Sequence, residues 1–252
     1  MIFSCSHATN PLRPASNSKQ SPYTMKTFLT LFLALCISLP LLAQNTENRS
    51  HTGFTKLSVA VPADVRLTKG PFKVQLEGDD LDEIITEVKG DQLVIKRKND
   101  KWNFFGNNSD SVEIHISMPA LEGVSLSGSG KLESNDQFSA SHMKLHVSGS
   151  GRVRLNVAAE KLETHISGSG NIETRGTANT LDAHISGSGK VNAQELRAGE
   201  AEVHISGSGN CSVHADNKLD AHISGSGNVN YTGSPATVNA RTSGSGKIIK
   251  RG

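Results

Sequence analysis

Thr164-His165-Ile166-Ser167-Gly168-Ser169-Gly170-Asn171-Ile172 is the stretch that decides the fold. Read with the two-residue period of a strand, Ile166, Gly168, Gly170 and Ile172 share one face, and His165, Ser167, Ser169 and Asn171 share the other. The face that carries isoleucine is the one to bury. The glycines then fall where a wall turns and backbone comes close, where a side chain would not fit or φ is positive.

The tetrapeptide Ser-Gly-Ser-Gly starts again and again along the chain, from Ser127 to Ser243, at intervals of 21, 19, 19, 20, 18 and 19 residues. A lone strand cannot bury one face, whereas coils stacked at roughly 4.8 Å can, each pairing with its neighbours. A helical repeat of this length needs apolar residues three and four apart over ten or more positions, and the chain has no such run. The expected fold is therefore all-β: a single-stranded parallel β-helix, or β-solenoid, with coils of about 19 residues, right-handed by the crossover rule.

Upstream the repeat weakens. Leu57, Leu76, Ile95 and Ile114 keep a spacing of 19, each in a short alternating segment punctuated by Gly53, Gly70-Pro71, Gly78 and Gly90. Residues 54–120 read either as degenerate first coils of the same solenoid, the favoured option, or as a small antiparallel β-meander. Asp79, Asp80 and Asp82 belong to a turn. Residues 99–111, with Trp102, Phe104 and Phe105 among Asn and Asp, read as a protruding loop.

Further out still, the chain begins with targeting sequence. Met25-Lys26 opens a basic region, an apolar stretch runs from Phe28 to Leu42, and Ala43-Gln44 follows, which is the layout of a secretory signal peptide cleaved after Ala43. The stretch is too short, and too broken by Thr30, Ser38 and Pro40, for a membrane span. The expected organisation is an upstream extension over 1–24, a signal peptide over 25–43, a linker over 44–53, the N-terminal β region over 54–120 and the repeat solenoid over 121–252.

The first 43 residues hold Arg13, Lys19 and Lys26 and no acid, so the mature chain sets 23 basic residues against 24 acidic ones. That balance points away from nucleic acid and anionic membrane as partners. Only Cys211 of the three cysteines survives processing, so stability must come from packing and hydrogen bonds. Cys211 takes the inward position that Ile172 takes in its own coil, as a buried, inert thiol. Aromatic residues make up 4% of the chain, which suits a thin stacked core better than the interior of a compact enzyme.

The residues from about Phe54 to Lys250 resemble the "putative auto-transporter adhesin, head GIN domain" family of exported bacterial proteins. The resemblance rests on the Ser-Gly-Ser-Gly repeats, on Leu121-Glu122-Gly123-Val124-Ser125-Leu126 leading into the first of them, and on Gly225-Ser226-Gly227-Asn228-Val229-Asn230-Tyr231-Thr232-Gly233-Ser234-Pro235 near the end. It implies a β-helix-like fold and export to the periplasm, the outer membrane or the exterior. It brings no catalytic residue with it.

Three columns on the outward face are the candidates for chemistry. His146, His165, His184, His204 and His222 form one; Glu163, Asp182, Glu202 and Asp220 lie two residues earlier, after Lys144 in the first copy; a serine lies two residues later. Acid, His and Ser in a row suggest a hydrolase triad, but neighbours at i and i+2 sit roughly 7 Å apart, too far for its hydrogen-bond chain. Stacked imidazoles flanked by carboxylates are a candidate ladder for zinc or copper, set against a solvated face propagated by duplication. No helix follows the Ser-Gly-Ser-Gly loops, so they are not phosphate cradles, and Ser, Asn, Lys or Arg stand where calcium-binding β-rolls place Asp. Trp102, Phe104 and Phe105 either anchor a ligand by stacking or cover part of the solenoid. No catalytic residue and no cofactor are expected. The leading function is a non-catalytic binding or adhesion module for an envelope, glycan or protein ligand; the alternatives are a polysaccharide-acting β-helix enzyme and a ligand-free spacer.

Overall fold

A computed structural model describes residues 45–98 and 112–251. Alternation of apolar and polar side chains is what its backbone follows. In the Thr164–Ile172 stretch Thr164, Ile166, Gly170 and Ile172 are buried, while Ser167 and Ser169 are exposed. The strands in chain order are β1 (Thr46–Arg49), β2 (Lys56–Ala60), β3 (Ala63–Lys69), β4 (Lys73–Glu77), β5 (Ile84–Lys89), β6 (Gln92–Arg97), β7 (Val112–Met118) and β8 (Gly123–Gly128). After them come β9 (Lys131–Gly149), β10 (Arg152–Gly168), β11 (Asn171–Gly187), β12 (Lys190–Gly207), β13 (Asn210–Gly225), β14 (Asn228–Thr232), β15 (Thr237–Ser243) and β16 (Lys247–Lys250). The one helical element among the described residues is a 3-10 turn over Leu81–Glu83, which follows the Asp79-Asp80 turn. No helix there is long and apolar enough to cross a membrane.

From β8 onward the strands stack in parallel and in chain order. Val153 of β10 lies beside Ile172 of β11, Ile172 beside Val191, Val191 beside Cys211 and Cys211 beside Val229. Each of these five side chains is fully buried. A second buried column runs Val147, Ile166, Ile185, Ile205 and Ile223. The core is thus built of stacks with one side chain per coil, these two joined by others such as Leu162, Leu181, Ala201 and Leu219. Cys211 is a member of the first, as its position opposite Ile172 predicts.

Glycine corners hold the coils together. The carbonyl of Gly149 accepts from Ser169 N at 2.8 Å, and that of Gly151 accepts from Asn171 N at 2.9 Å; the same pair of bonds recurs one coil later from Gly168 and Gly170. Gly168 is half-exposed at a φ of 117°, and a Cβ there would sit 2.7 Å from the Gly149 carbonyl oxygen. Its requirement is therefore conformational, not the inward position that simple alternation gives it. Gly170 is the inward one: a Cβ on it would lie 2.4 Å from Val147 Cγ1.

Residues 54–120 combine both arrangements anticipated from sequence. Two segments are genuine coils: β2 lies parallel between β6 and β8, and β3 lies parallel to both β7 and β9. Their order along the stack runs against the chain, because the β6–β7 layer lies beyond the β2–β3 layer. Antiparallel strands close this end: β4 on β7, β1 on β4 and β5 on β6. The 19-residue spacing of Leu57, Leu76, Ile95 and Ile114 accordingly does not mark successive coils. Ile95 pairs with Val59, and Leu76 faces Ile114 across an antiparallel ladder. The physical reason is that the chain turns back at Gly70-Pro71 and returns as β4 on the far side of β7, antiparallel to it, whereas a parallel neighbour needs a long crossover.

Candidate ligand-binding face

One wall of the solenoid presents the predicted histidine column in exact pairing: His146 beside His165, then His184, His204 and His222. The strand period places these side chains outward because their neighbours on both sides, such as Thr164 and Ile166, are in the core. The rings of His165 and His184 stack with centroids 4.8 Å apart and planes 5° from parallel. His184 and His204 are 4.9 Å apart at 5°, and His204 and His222 5.5 Å apart at 15°. His146 breaks the regularity, 6.4 Å from His165 and tilted by 44°.

The carboxylate column meets the ladder in three ways. Glu202 Oε1 accepts from His204 Nε2 at 2.8 Å, and Asp182 Oδ1 lies 2.8 Å from His184 Nε2. Glu163 instead binds Lys161 at 2.7 Å and Lys144 at 3.0 Å, which hold its carboxyl down at about 2. Asp220 accepts from Asn239 Nδ2 at 3.4 Å. The pKa of His165 is lowered, first by burial and then by the neighbouring His184; Asp182 and Glu163 oppose the shift, and His146 adds to it.

Between the imidazoles and the serines that follow them runs an open groove of about 600 Å³. Ser167, Ser186, Ser206, Ser224 and Ser243 are exposed along it, and none makes a side-chain hydrogen bond among the described residues. Among the described residues the triad-like row therefore makes no Ser–His bond, and none of its serines sits at a positive φ. As for metal, stacked rings hold their in-plane lone pairs parallel, so an ion shared by two neighbours requires one ring to leave the stack.

Other features were not singled out from sequence. Arg241 pairs with His222 and ends the column, at the place a sixth imidazole would take in Asn239-Ala240-Arg241-Thr242-Ser243. A second groove of about 600 Å³ continues the same wall past His146, lined by Lys56, Glu122, Ser125, His142 and Lys144 among others. Glu77, Glu113 and His115 converge on another wall, with His115 Nε2 3.8 Å and 3.5 Å from the two carboxylates. Both carboxylates already have partners: Arg66 pairs with Glu113, and Gln75 Nε2 donates to Glu77 at 2.6 Å. Glu113-x-His115 repeats the acid-x-His spacing of the ladder and was the available signal. Trp102, Phe104 and Phe105 lie outside the described residues.

Residues 53–235 match the family described as "Putative auto-transporter adhesin, head GIN domain". No curated protein matches the chain. Among solved structures, a "putative adhesin" from Bacteroides fragilis superposes with a TM-score of 0.78 at 25% identity, covering 84% of this chain and 99% of that one. A "putative lipid binding protein" from Parabacteroides distasonis gives 0.65 at 26% identity, covering 82% and 96%. A "putative adhesin" from the same organism gives 0.69 at 22% identity, covering 82% and 96%, and speaks for the fold.

Proposed function

The chain belongs to the auto-transporter adhesin head GIN domain family, and from that premise we propose that it is an exported, non-catalytic binding module of the bacterial cell envelope whose contact surface is the histidine–serine wall. The observation that carries this reading is the repetition, coil after coil, of one outward set of hydrogen-bonding groups along a groove. Extended flat faces of this kind are what solenoids use to hold long partners. The layout of residues 25–43 supports export, with the mature chain starting at Gln44. A lipid-tail site draws no support from the described surface, where Val238 is the one large apolar side chain left exposed.

Envelopes isolated from the producing bacterium, and cells of its host, provide the test. Labelled protein should bind one or the other saturably, and a variant with His165, His184 and His204 changed to Gln and Ser186 and Ser206 to Ala should lose that binding at an unchanged melting temperature. A ligand-free spacer would bind neither, and an enzyme would release soluble sugar. Fractionation followed by N-terminal sequencing should find the protein outside the cytoplasm, starting at Gln44. Recovery of residues 1–24 on the exported form would refute the processing.

A further inference from the structure

We propose that the groove along the imidazole ladder is a cleft for a linear, uncharged glycan lying parallel to the solenoid axis. This deepens the binding reading above and rests on it.

Periodicity is the first argument. From His146 to Arg241 the groove offers its groups one rung per coil, about 24 Å from first rung to sixth. A lining that repeats every coil is complementary to a ligand that repeats too; a compact small molecule would meet only one or two rungs.

The chemistry of each rung is the second. Ring faces in the ladder are occupied by one another, so a ligand meets imidazole edges and cannot stack on them. Where Glu202 accepts a hydrogen bond from Nε2 of a neutral His204, the other ring nitrogen is left as an acceptor. Two residues along, a serine hydroxyl without a protein partner can both donate and accept. An acceptor and a hydroxyl alternating along an open groove suit a chain rich in hydroxyl groups.

Charge is the third. Lysines neutralise Glu163, imidazoles meet Asp182 and Glu202, and Asn239 reaches Asp220. Carboxylates beside the groove disfavour a polyanion, and Asp182, Glu202 and Asp220 already hold partners of their own in His184, His204 and Asn239. Arg241 on the last rung is the one cation in the lining.

Calorimetry on the purified protein with cellohexaose, chitohexaose and mannohexaose tests this, with polygalacturonate and heparin as anionic counterparts. At least one neutral hexaose should bind, about tenfold or more tighter than its trimer, and the anionic chains should not. Ser186→Ala with Ser206→Ala, and separately His184→Phe with His204→Phe, should each lower the affinity at least tenfold while leaving the melting temperature near the parent's. The proposal is overturned if no neutral hexaose binds, if trimer and hexamer bind alike, or if both double variants bind as the parent does. Loss of the glycan result alone, with envelope binding intact and still abolished by the wall variant, removes the glycan and keeps the binding wall. Loss of both removes both.

Discussion

Gly168, Ser169 and Gly170 are consecutive, yet the structure asks three different things of them. Gly168 needs its positive φ and the close carbonyl of Gly149, Gly170 needs the space beside Val147, and Ser169 faces solvent. Gly168→Val and Gly170→Val should each cost several kcal/mol, and Ser169→Val under about 1 kcal/mol, by denaturant melts. Equal costs at the three positions would mean that the corner is drawn wrongly. Alternation read from sequence placed Gly168 inside because the period of two assumes extended backbone, and a positive φ suspends it. The histidine column was legible for the opposite reason: five imidazoles at one offset from a fixed tetrapeptide cannot avoid sharing a face. Of Glu77, Glu113 and His115 only the Glu113-x-His115 spacing was legible, because long-range antiparallel pairing brings Glu77 to the other two. Acid should act on the ladder in two steps. His165, with its pKa lowered from 6.5 and facing His146, His184, Glu163 and Asp182, is preferentially neutral when folded. Its contribution is complete above about 6.5 and is lost as pH falls through that value toward the folded one. Glu163, lowered from 4.5 to about 2, contributes fully above 4.5 and loses that contribution as pH falls to about 2. Melting temperatures of His165→Gln should show a smaller decline from pH 7 to 5 than the parent, and those of Glu163→Gln a smaller decline below 4.5. Parallel curves for parent and variants would remove both assignments.

A coil is the element of this fold, and its length is less strict than its corner. The 21-residue interval and its 18- and 20-residue successors are absorbed at pairing irregularities that leave the histidine wall in step: between Arg154 and Asn156, between Glu173 and Arg175, between Ala193 and Arg197, and between Ala198 and Glu200. Deleting residues 171–189 removes one whole turn and joins Gly170 to Lys190, which already occupies the next equivalent position. This deletion should leave a cooperative β fold whose melting temperature is lower by about 5–10 °C, since neighbouring turns in a stack stabilise one another pairwise. Deleting 171–180 instead puts every downstream side chain out of phase and should abolish cooperative melting. Similar circular dichroism melts for the two deletions would show that the turn is not the structural unit. Turns with a glycine corner were legible in the sequence because each carries its own punctuation. The N-terminal layers were not, because Val59 and Ile95, or Val65 and Ile114, are joined by pairing across 36 or more residues that no local pattern announces.

Across the whole molecule, the stack is closed differently at its two ends. Antiparallel strands cover the N-terminal layers, and Phe54 is fully buried there against Phe72, ring centroids 4.9 Å apart. At the other end β15 is exposed at every residue and pairs with β13 alone among the described strands, while β16 pairs with β14 alone. In a one-dimensional stack each turn is held by its neighbours, so opening should begin at the turn that, among the described strands, is paired on one side alone. Cys211 reports on this end. Its thiol is fully buried between Val191 and Val229, and burial pushes its pKa up to about 12, so it reacts only when the turns beyond it come away. In the chain from Gln44 onward it is the sole cysteine. A second probe, Val153→Cys in a Cys211→Ala background, sits in the same column three layers deeper. Under native conditions Cys211 should label with a thiol reagent at least about tenfold faster than the Val153→Cys probe, the factor that a 1.4 kcal/mol difference in opening free energy carries. Labelling at Val153→Cys should track global unfolding measured in denaturant, and labelling at Cys211 should outrun it. Equal rates at the two sites, both matching global unfolding, would show that the solenoid opens as one unit and that its exposed last turn is no weaker than its middle.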